Sequence, residues 1–280
     1  MPRSIREILD EAKRRLRAAD FETPPREAHL LLGHVLGRSE VELRAHDEAP
    51  VEADAQAAFE GLLNRRLRGE PIAYLVGRRE FYGRFFQVDD RVLIPRPETE
   101  HLIAAVLELD LPPRPRILDL GTGSGCIAVT LALELPGARV LAADRSLGAL
   151  AVAAVNNRAL TGESLRGVCD DWLGAVDPAT LDLVVTNPPY IAREAAGELS
   201  PEIRHFEPDL ALFGADDGLG HYRALYEALH GLRSGVPVVS EIGLGQADEV
   251  VALAAARGFA HLRTVDDYAG IARIVVVNRA

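Results

Sequence analysis

At 280 residues the chain is long for a single core, and 48% hydrophobic with 26% charged residues is the composition of an ordinary globular protein. No stretch approaches the ~18 unbroken apolar residues of a membrane span, and Met1-Pro2-Arg3-Ser4 lacks the apolar core of a signal peptide, so a cytoplasmic protein without membrane contact is expected. The net charge is −11, and residues 1 to 75, with 12 basic and 14 acidic side chains, hold only −2 of it. Neither part is the basic body that neutralises phosphates, which disfavours a direct nucleic-acid partner.

Residues 1 to 75 read as a small helical domain. Ser4 followed by Glu7 forms a capping box, and Ile5, Ile8, Leu9, Ala12 and Leu16 recur at helical spacing. A second helix starts at Thr23-Pro24-Pro25, turns Ala28, Leu31, Leu32 and Val35 inward, and stops at Gly37. A third covers Glu52 to Leu67. His29 and His34 are five apart and share no face, so they read as ordinary helix residues rather than ligands. The domain shows no chemistry of its own, and recognition of a partner is its expected role.

Residues 76 to 97 form a linker. Arg79 to Val88 is aromatic and β-rich around Gly83, which predicts a hairpin. Val92-Leu93-Ile94-Pro95-Arg96-Pro97-Glu98-Thr99-Glu100 then makes a stiff connector, and a helix begins at Glu98. Residues 98 to 280 follow as an α/β domain.

The apolar strand Arg116 to Leu120 feeds a glycine-rich bend, Gly121-Thr122-Gly123-Ser124-Gly125, and a helix leaves it from Ile127 to Leu135. Glycines allow close backbone approach to a ligand, and the helix N-terminus supplies free N–H groups. The dinucleotide fingerprint wants glycine or alanine at 126, where this chain has Cys126, so a pyrophosphate site is poorly supported. S-adenosylmethionine has no phosphate to cradle, and its carboxylate and amino group suit the bend, with Asp119 a candidate for the amino end. The next strand ends in Asp144, where a ribose diol would lie. A third strand, Leu165 to Cys169, runs into Asp170-Asp171-Trp172, where Asp171 and Trp172 are placed to contact and stack on adenine, with Asp170 the alternative acid. Cys126 and Cys169 sit in apolar patterns without metal spacing and are expected as reduced core residues.

Leu181 to Thr186 reads as a buried strand that stops at Asn187-Pro188-Pro189-Tyr190. The prolines fix φ and offer no N–H, so this turn presents an amide (Asn187), a rigid carbonyl (Pro188) and an aromatic face (Tyr190). Such a pocket suits a planar group bearing an NH2: Asn187 Oδ1 and the Pro188 carbonyl each accept one hydrogen, and Tyr190 packs on the plane. Residues 191 to 218 are charged and aperiodic, and are expected to help build a substrate channel. Helices near Tyr222–Leu232 and Gln246–Ala256, and strands at 236–241, 260–265 and 272–278, complete a seven-stranded doubly wound sheet.

The glycine bend, Asp144, Trp172 and Asn187-Pro188-Pro189-Tyr190 on successive strands resemble the class I S-adenosylmethionine-dependent methyltransferases, a Rossmann-like fold. With Ile94-Pro95-Arg96-Pro97-Glu98-Thr99-Glu100, and with Phe206-Glu207-Pro208, Asp217-Gly218-Leu219 and Glu241-Ile242-Gly243 downstream, nearly the whole chain resembles the release factor glutamine methyltransferase family (PrmC/HemK). The chain departs from that pattern at Arg145, where an apolar residue is common, and at Ala215, where glycine is usual. The resemblance implies a protein-(glutamine-N5) methyltransferase that methylates the Gly-Gly-Gln glutamine of class I peptide chain release factors and leaves S-adenosylhomocysteine. It implies a role in translation termination with a protein as partner, and a monomer is expected. The rival readings are an amino-methyltransferase acting on adenine N6, which would need base extrusion and a basic channel, a nicotinamide-dependent oxidoreductase, and a non-catalytic adaptor.

Overall fold

The computed structural model describes residues 3–280. The chain divides into two compact units, one running to Arg78 and taking in Ser200–Phe206, the other comprising Arg79–Leu199 and Glu207–Ala280.

The first unit contains the helices Ile5–Ala18, Pro24–Leu36, Glu40–Ala45, Ala53–Leu67 and Ile72–Val76. Ser4 and Glu7 make both bonds of the capping box, Glu7 N–H to Ser4 Oγ at 3.2 Å and Ser4 N–H to Glu7 Oε2 at 2.8 Å. Gly37 ends the second helix in the left-handed region at φ 62°. Ile5, Ile8, Leu9, Ala12 and Leu16 meet Leu31, Leu32, Phe59 and Leu63 in one core. His29 is a helix residue whose Nδ1 lies 2.5 Å from the Pro25 carbonyl, which supplies its hydrogen-bond partner. The helix Glu40–Ala45 was not expected from periodicity, because six residues are too few for the 3.6 period to repeat. The signal was the second capping box, Ser39 with Glu42.

The Pro201–Phe206 helix joins this unit through Glu202, which accepts from Arg66 Nη1 at 2.8 Å. Residues 191 to 218, expected as an irregular stretch, hold a 3-10 segment Arg193–Glu198 and the helices Pro201–Phe206 and Asp209–Leu212. Each piece is too short to declare a period.

A hairpin, β1 (Arg78–Phe81) and β2 (Arg84–Gln87), starts at the boundary residue Arg78 and opens the second unit. Tyr82 and Gly83 have φ 51° and 72°, as a two-residue turn matched to strand twist requires. The sheet contains β3 (Arg116–Leu120), β4 (Arg139–Asp144), β5 (Gly167–Cys169), β6 (Leu183–Thr186), β7 (Pro237–Glu241), β8 (Phe259–Asp266) and β9 (Ala272–Arg279), in the order β5-β4-β3-β6-β7-β9-β8. β5 to β7 are parallel, and β9 is antiparallel to both β7 and β8. Alternate residues of the central strands serve opposite faces. Ile117, Leu183, Val185 and Val239 pack with Phe81, Phe86 and Ile103, whereas Leu118, Val184 and Val238 pack with Tyr222, Tyr226 and Val250.

Burial on both faces explains why the inner strands read as unbroken apolar runs. Cys126 is buried, as expected, but Cys169 is exposed: β5 is the edge strand and is only three residues long. Among the described residues no helix is long and apolar enough to cross a membrane, and no group of three or more His, Cys, Asp or Glu could hold a metal ion.

Candidate active site

Register brings the site together. Leu120 lies opposite Ala143 on one side and Thr186 on the other, and Thr186 lies opposite Ser240. The segments that follow these residues therefore emerge side by side at the carboxyl edge of the sheet. The chain order reverses between β3 and β6, which makes this the switch point where open α/β sheets bind ligands. Thr186 Oγ1 donates to the Leu120 carbonyl at 2.7 Å and ties the two strand ends together.

The glycine bend is anchored by Gly121 and Thr122, whose N–H groups both donate to the Ala143 carbonyl at 2.9 and 3.0 Å. Gly121 and Gly123 have φ 76° and 53°, and a Cβ at either would meet no atom within 4 Å, so both turn open space toward a ligand. Gly125 serves another purpose. A Cβ there would sit 3.0 Å from Ala153 Cβ, so this glycine lets the helices Cys126–Glu134 and Leu147–Thr161 approach. Asn156, which sequence reasoning missed, donates to the carbonyls of Ser124 at 2.8 Å and Gln87 at 2.9 Å, joining bend and hairpin.

Asp119 lies beneath the bend rather than in the cleft wall. One oxygen accepts from Thr122 Oγ1 at 2.6 Å and from the Ala128 N–H at 3.1 Å, the other has no partner, and burial pushes the carboxyl up to about 7. These two bonds brace the bend.

An open cleft of roughly 1130 Å³, its mouth included, is lined by Gly121, Thr122, Gly123, Ser124, Asp144, Asp170, Asp171, Trp172, Asn187, Pro188 and Pro189. Asp144 accepts from Gly123 N–H at 3.0 Å and Ser146 N–H at 2.8 Å, and burial raises its pKa. Asp170 accepts from Ala175 N–H at 2.7 Å, while Trp172 lies 5.3 Å from His221, centroid to centroid. Trp172 and Leu173 both hold φ above 60°, an uncommon backbone for bulky side chains. His221 also lines the cleft and titrates below its ordinary range because it is buried. Leu93, Pro95, Arg96 and Thr99 from the connector complete the wall. Arg96 is held at 2.5 Å by Glu207, whose other oxygen accepts the Ile94 N–H at 3.2 Å.

Tyr190 does not line the cleft. Its hydroxyl donates to Glu241 Oε1 at 3.2 Å and its carbonyl accepts from Gln246 Nε2 at 3.0 Å, which secures the turn from behind. Gly214 and Gly218 pass so close that a Cβ on either would come within 2.4 Å of the Pro189 or Tyr190 carbonyl. Between them Ala215 holds φ 69°, a conformation that favours the glycine usual at this place.

A family model described as the PrmC N-terminal domain matches residues 7–77, and one described as the methyltransferase small domain matches residues 99–202. The release factor glutamine methyltransferase of Bordetella pertussis is 46% identical over 91% of this chain and 95% of its own length. That of Cereibacter sphaeroides is 42% identical over 96% of each chain, and that of Koribacter versatilis 40% identical over 98% of each. Among solved structures, the hMettl16 catalytic domain in complex with the MAT2A 3'UTR hairpin 6 aligns with a TM-score of 0.58 at 16% identity, covering 75% of this chain and 81% of that one. A methyltransferase from Pyrococcus furiosus aligns with a TM-score of 0.53 at 14% identity, covering 79% and 99%. At such identities the two structures share the methyltransferase fold alone, whereas the sequence relatives agree across both units: this chain belongs to the release factor glutamine methyltransferase family.

Proposed function

We propose that this protein transfers the methyl group of S-adenosylmethionine to the side-chain amide nitrogen of the Gly-Gly-Gln glutamine in class I release factors, acting as a monomer in the cytoplasm. The observation that carries the reading is that Asn187 and Pro188 share one cleft with the open face of the glycine bend. The residues fit the cofactor: Gly121 and Gly123 leave room for close approach, Asp144 presents a carboxylate to a ribose diol, and Trp172 with Asp170 or Asp171 suits adenine. Bound there, S-adenosylmethionine supplies an electrophilic methyl group.

The chain's own residues answer the weakness of the acceptor. An amide nitrogen is a poor nucleophile because its lone pair is delocalised, so positioning must provide most of the acceleration, roughly 7 to 11 kcal/mol for well-aligned reactants. Asn187 Oδ1 and the Pro188 carbonyl, each accepting one N–H of the glutamine amide, stabilise positive character on nitrogen and fix the direction of its lone pair. Tyr190 and Asp119 act one layer back, securing the turn and the bend.

Asn187→Ala tests this. With an intact release factor as substrate, and methylation read by mass spectrometry, transfer is expected to fall by on the order of 10²-fold while S-adenosylmethionine affinity is retained. Near-normal turnover in the variant, or methylation of DNA or RNA in place of the release factor, overturns it.

A further inference from the structure

The proposed function gives partners to the glutamine side chain and none to the main chain that carries it. In Gly-Gly-Gln the two glycines have no side chains, so their carbonyls are the polar handles by which a site can hold the loop in register. A carbonyl only accepts, and the groups offered by Asn187 Oδ1 and Pro188 are acceptors as well. The donor has to come from another part of the cleft wall.

Three arginines line the cleft: Arg91, Arg96 and Arg145. Arg91 is tied to Asp89 through Nε at 2.8 Å and Nη2 at 2.6 Å, and Arg145 follows Asp144, the acid given to the ribose. Arg96 lies on the side of the reacting turn, because three residues further on Thr99 Oγ1 accepts from Asn187 Nδ2 at 3.1 Å. Pro95 and Pro97 flank Arg96 and stiffen its backbone. Its guanidinium is held by Glu207, which is 4% exposed and whose second oxygen accepts the Ile94 N–H. Beyond Glu207 the chain lines the cleft again with Pro208, Leu210 and Ala211, so the Arg96–Glu207 pair ties two of its walls together.

That pair leaves Arg96 with donors to give. Among the described residues its one hydrogen bond is from Nη2 to Glu207 Oε1, and its side chain is 28% exposed at the cleft. The other N–H groups of the planar fork keep fixed directions once one edge is held by a carboxylate. The carboxylate also offsets the charge, so what remains at the cleft suits a neutral oxygen better than a phosphate or a second carboxylate. We propose that Arg96 binds a main-chain carbonyl of the Gly-Gly-Gln loop next to the glutamine, with Glu207 as the positioning residue that aims it. The inference rests on the substrate and the role of Asn187 given above. It adds a grip on the backbone that sets how far the glutamine reaches toward the turn.

The test uses the full chain with an intact release factor, and measures KM and kcat for the release factor beside S-adenosylmethionine affinity. Arg96→Met is expected to raise KM on the order of tenfold or more, as loss of a charged hydrogen-bond donor does, with kcat and cofactor affinity little changed. Arg96→Lys recovers only part of the loss, since an ammonium does not reproduce the fork. Glu207→Gln raises KM by less than Arg96→Met does, because the donor is still present but aimed less firmly. Arg96→Met leaves a buried carboxylate without its cation; should it fail to fold, Arg96→Met combined with Glu207→Gln carries no such charge and must show the same rise in KM. An unchanged KM in a folded Arg96 variant overturns the proposal. So does a loss of cofactor affinity in step with KM, which would assign the arginine to S-adenosylmethionine, or full recovery by Arg96→Lys. The Asn187→Ala variant separates the two readings: inactive Asn187→Ala with normal KM in Arg96→Met defeats the backbone grip only, whereas active Asn187→Ala defeats both.

Discussion

Both units bury charge, and they treat it differently. In the helical unit Arg66 is 5% exposed and fully engaged. Nε and Nη2 donate to the two oxygens of Glu27 at 2.7 and 2.9 Å, Nη1 donates to Glu202 at 2.8 Å and to the Glu70 carbonyl at 2.9 Å, and the guanidinium lies 4.2 Å over the Phe21 ring. In the sheet unit, Asp119 and Glu241 are as deeply buried yet each keeps an oxygen without a partner, and burial holds both carboxyls up near 7. Satisfied charge fixes a packing arrangement; charge left partly unsatisfied is a cost carried where the chemistry occurs.

The contrast can be broken in three places. The largest effect belongs to Arg66→Met, which keeps volume and strands Glu27 without its cation; loss of roughly 3 to 5 kcal/mol is expected. Amide exchange across residues 5–76 reads it, and adding Glu27→Leu should recover most of the loss, because an apolar pair replaces a buried ion pair at little cost. A smaller effect follows from pH. Unfolded, Asp119 and Glu241 ionise near the ordinary values of 3.8 and 4.5; folded, they ionise near 7. Between those values the folded chain keeps protons that the unfolded chain has released. Their contribution to stability is therefore complete below the unfolded values and falls as pH rises through about 7. The full loss is on the order of 4 kcal/mol for Asp119 and on the order of 3 kcal/mol for Glu241. A thermal midpoint lower at pH 8 than at pH 5.5, with a shallower fall in Glu241→Gln, is the expected record. The smallest effect is that of Glu202→Gln. Its side chain is 36% exposed and the amide still accepts from Arg66, so a loss of under about 1 kcal/mol is expected in the same exchange experiment.

How legible each feature was depended on how local its cause is. The Ser4–Glu7 box, the stop at Gly37, the glycine bend and the turn at Asn187 are written in adjacent residues and could be read directly. Ser39–Glu42 was equally local, but its helix was too short to support the reading with periodicity. Thr99 was visible only as part of a stiff connector, and Glu241 only as the end of a strand. The contact of Thr99 with Asn187 and that of Glu241 with Tyr190 depend on which segments the sheet order brings side by side, which no window of sequence reports. The same holds for Tyr190, whose ring is directed by a carboxylate from another strand, and for Asp119, whose acidity reflects the depth at which β3 lies.

The two cysteines have opposite fates, with a practical consequence. Cys126 is buried and its thiol is pushed up to about 12, so at neutral pH it offers almost no thiolate to an alkylating reagent. Cys169 is exposed on the edge strand, directly before Asp170-Asp171-Trp172. A maleimide dye would therefore attach to the native chain at one place, beside the Trp172 wall of the cleft, and its fluorescence would report what enters that end without any engineered residue.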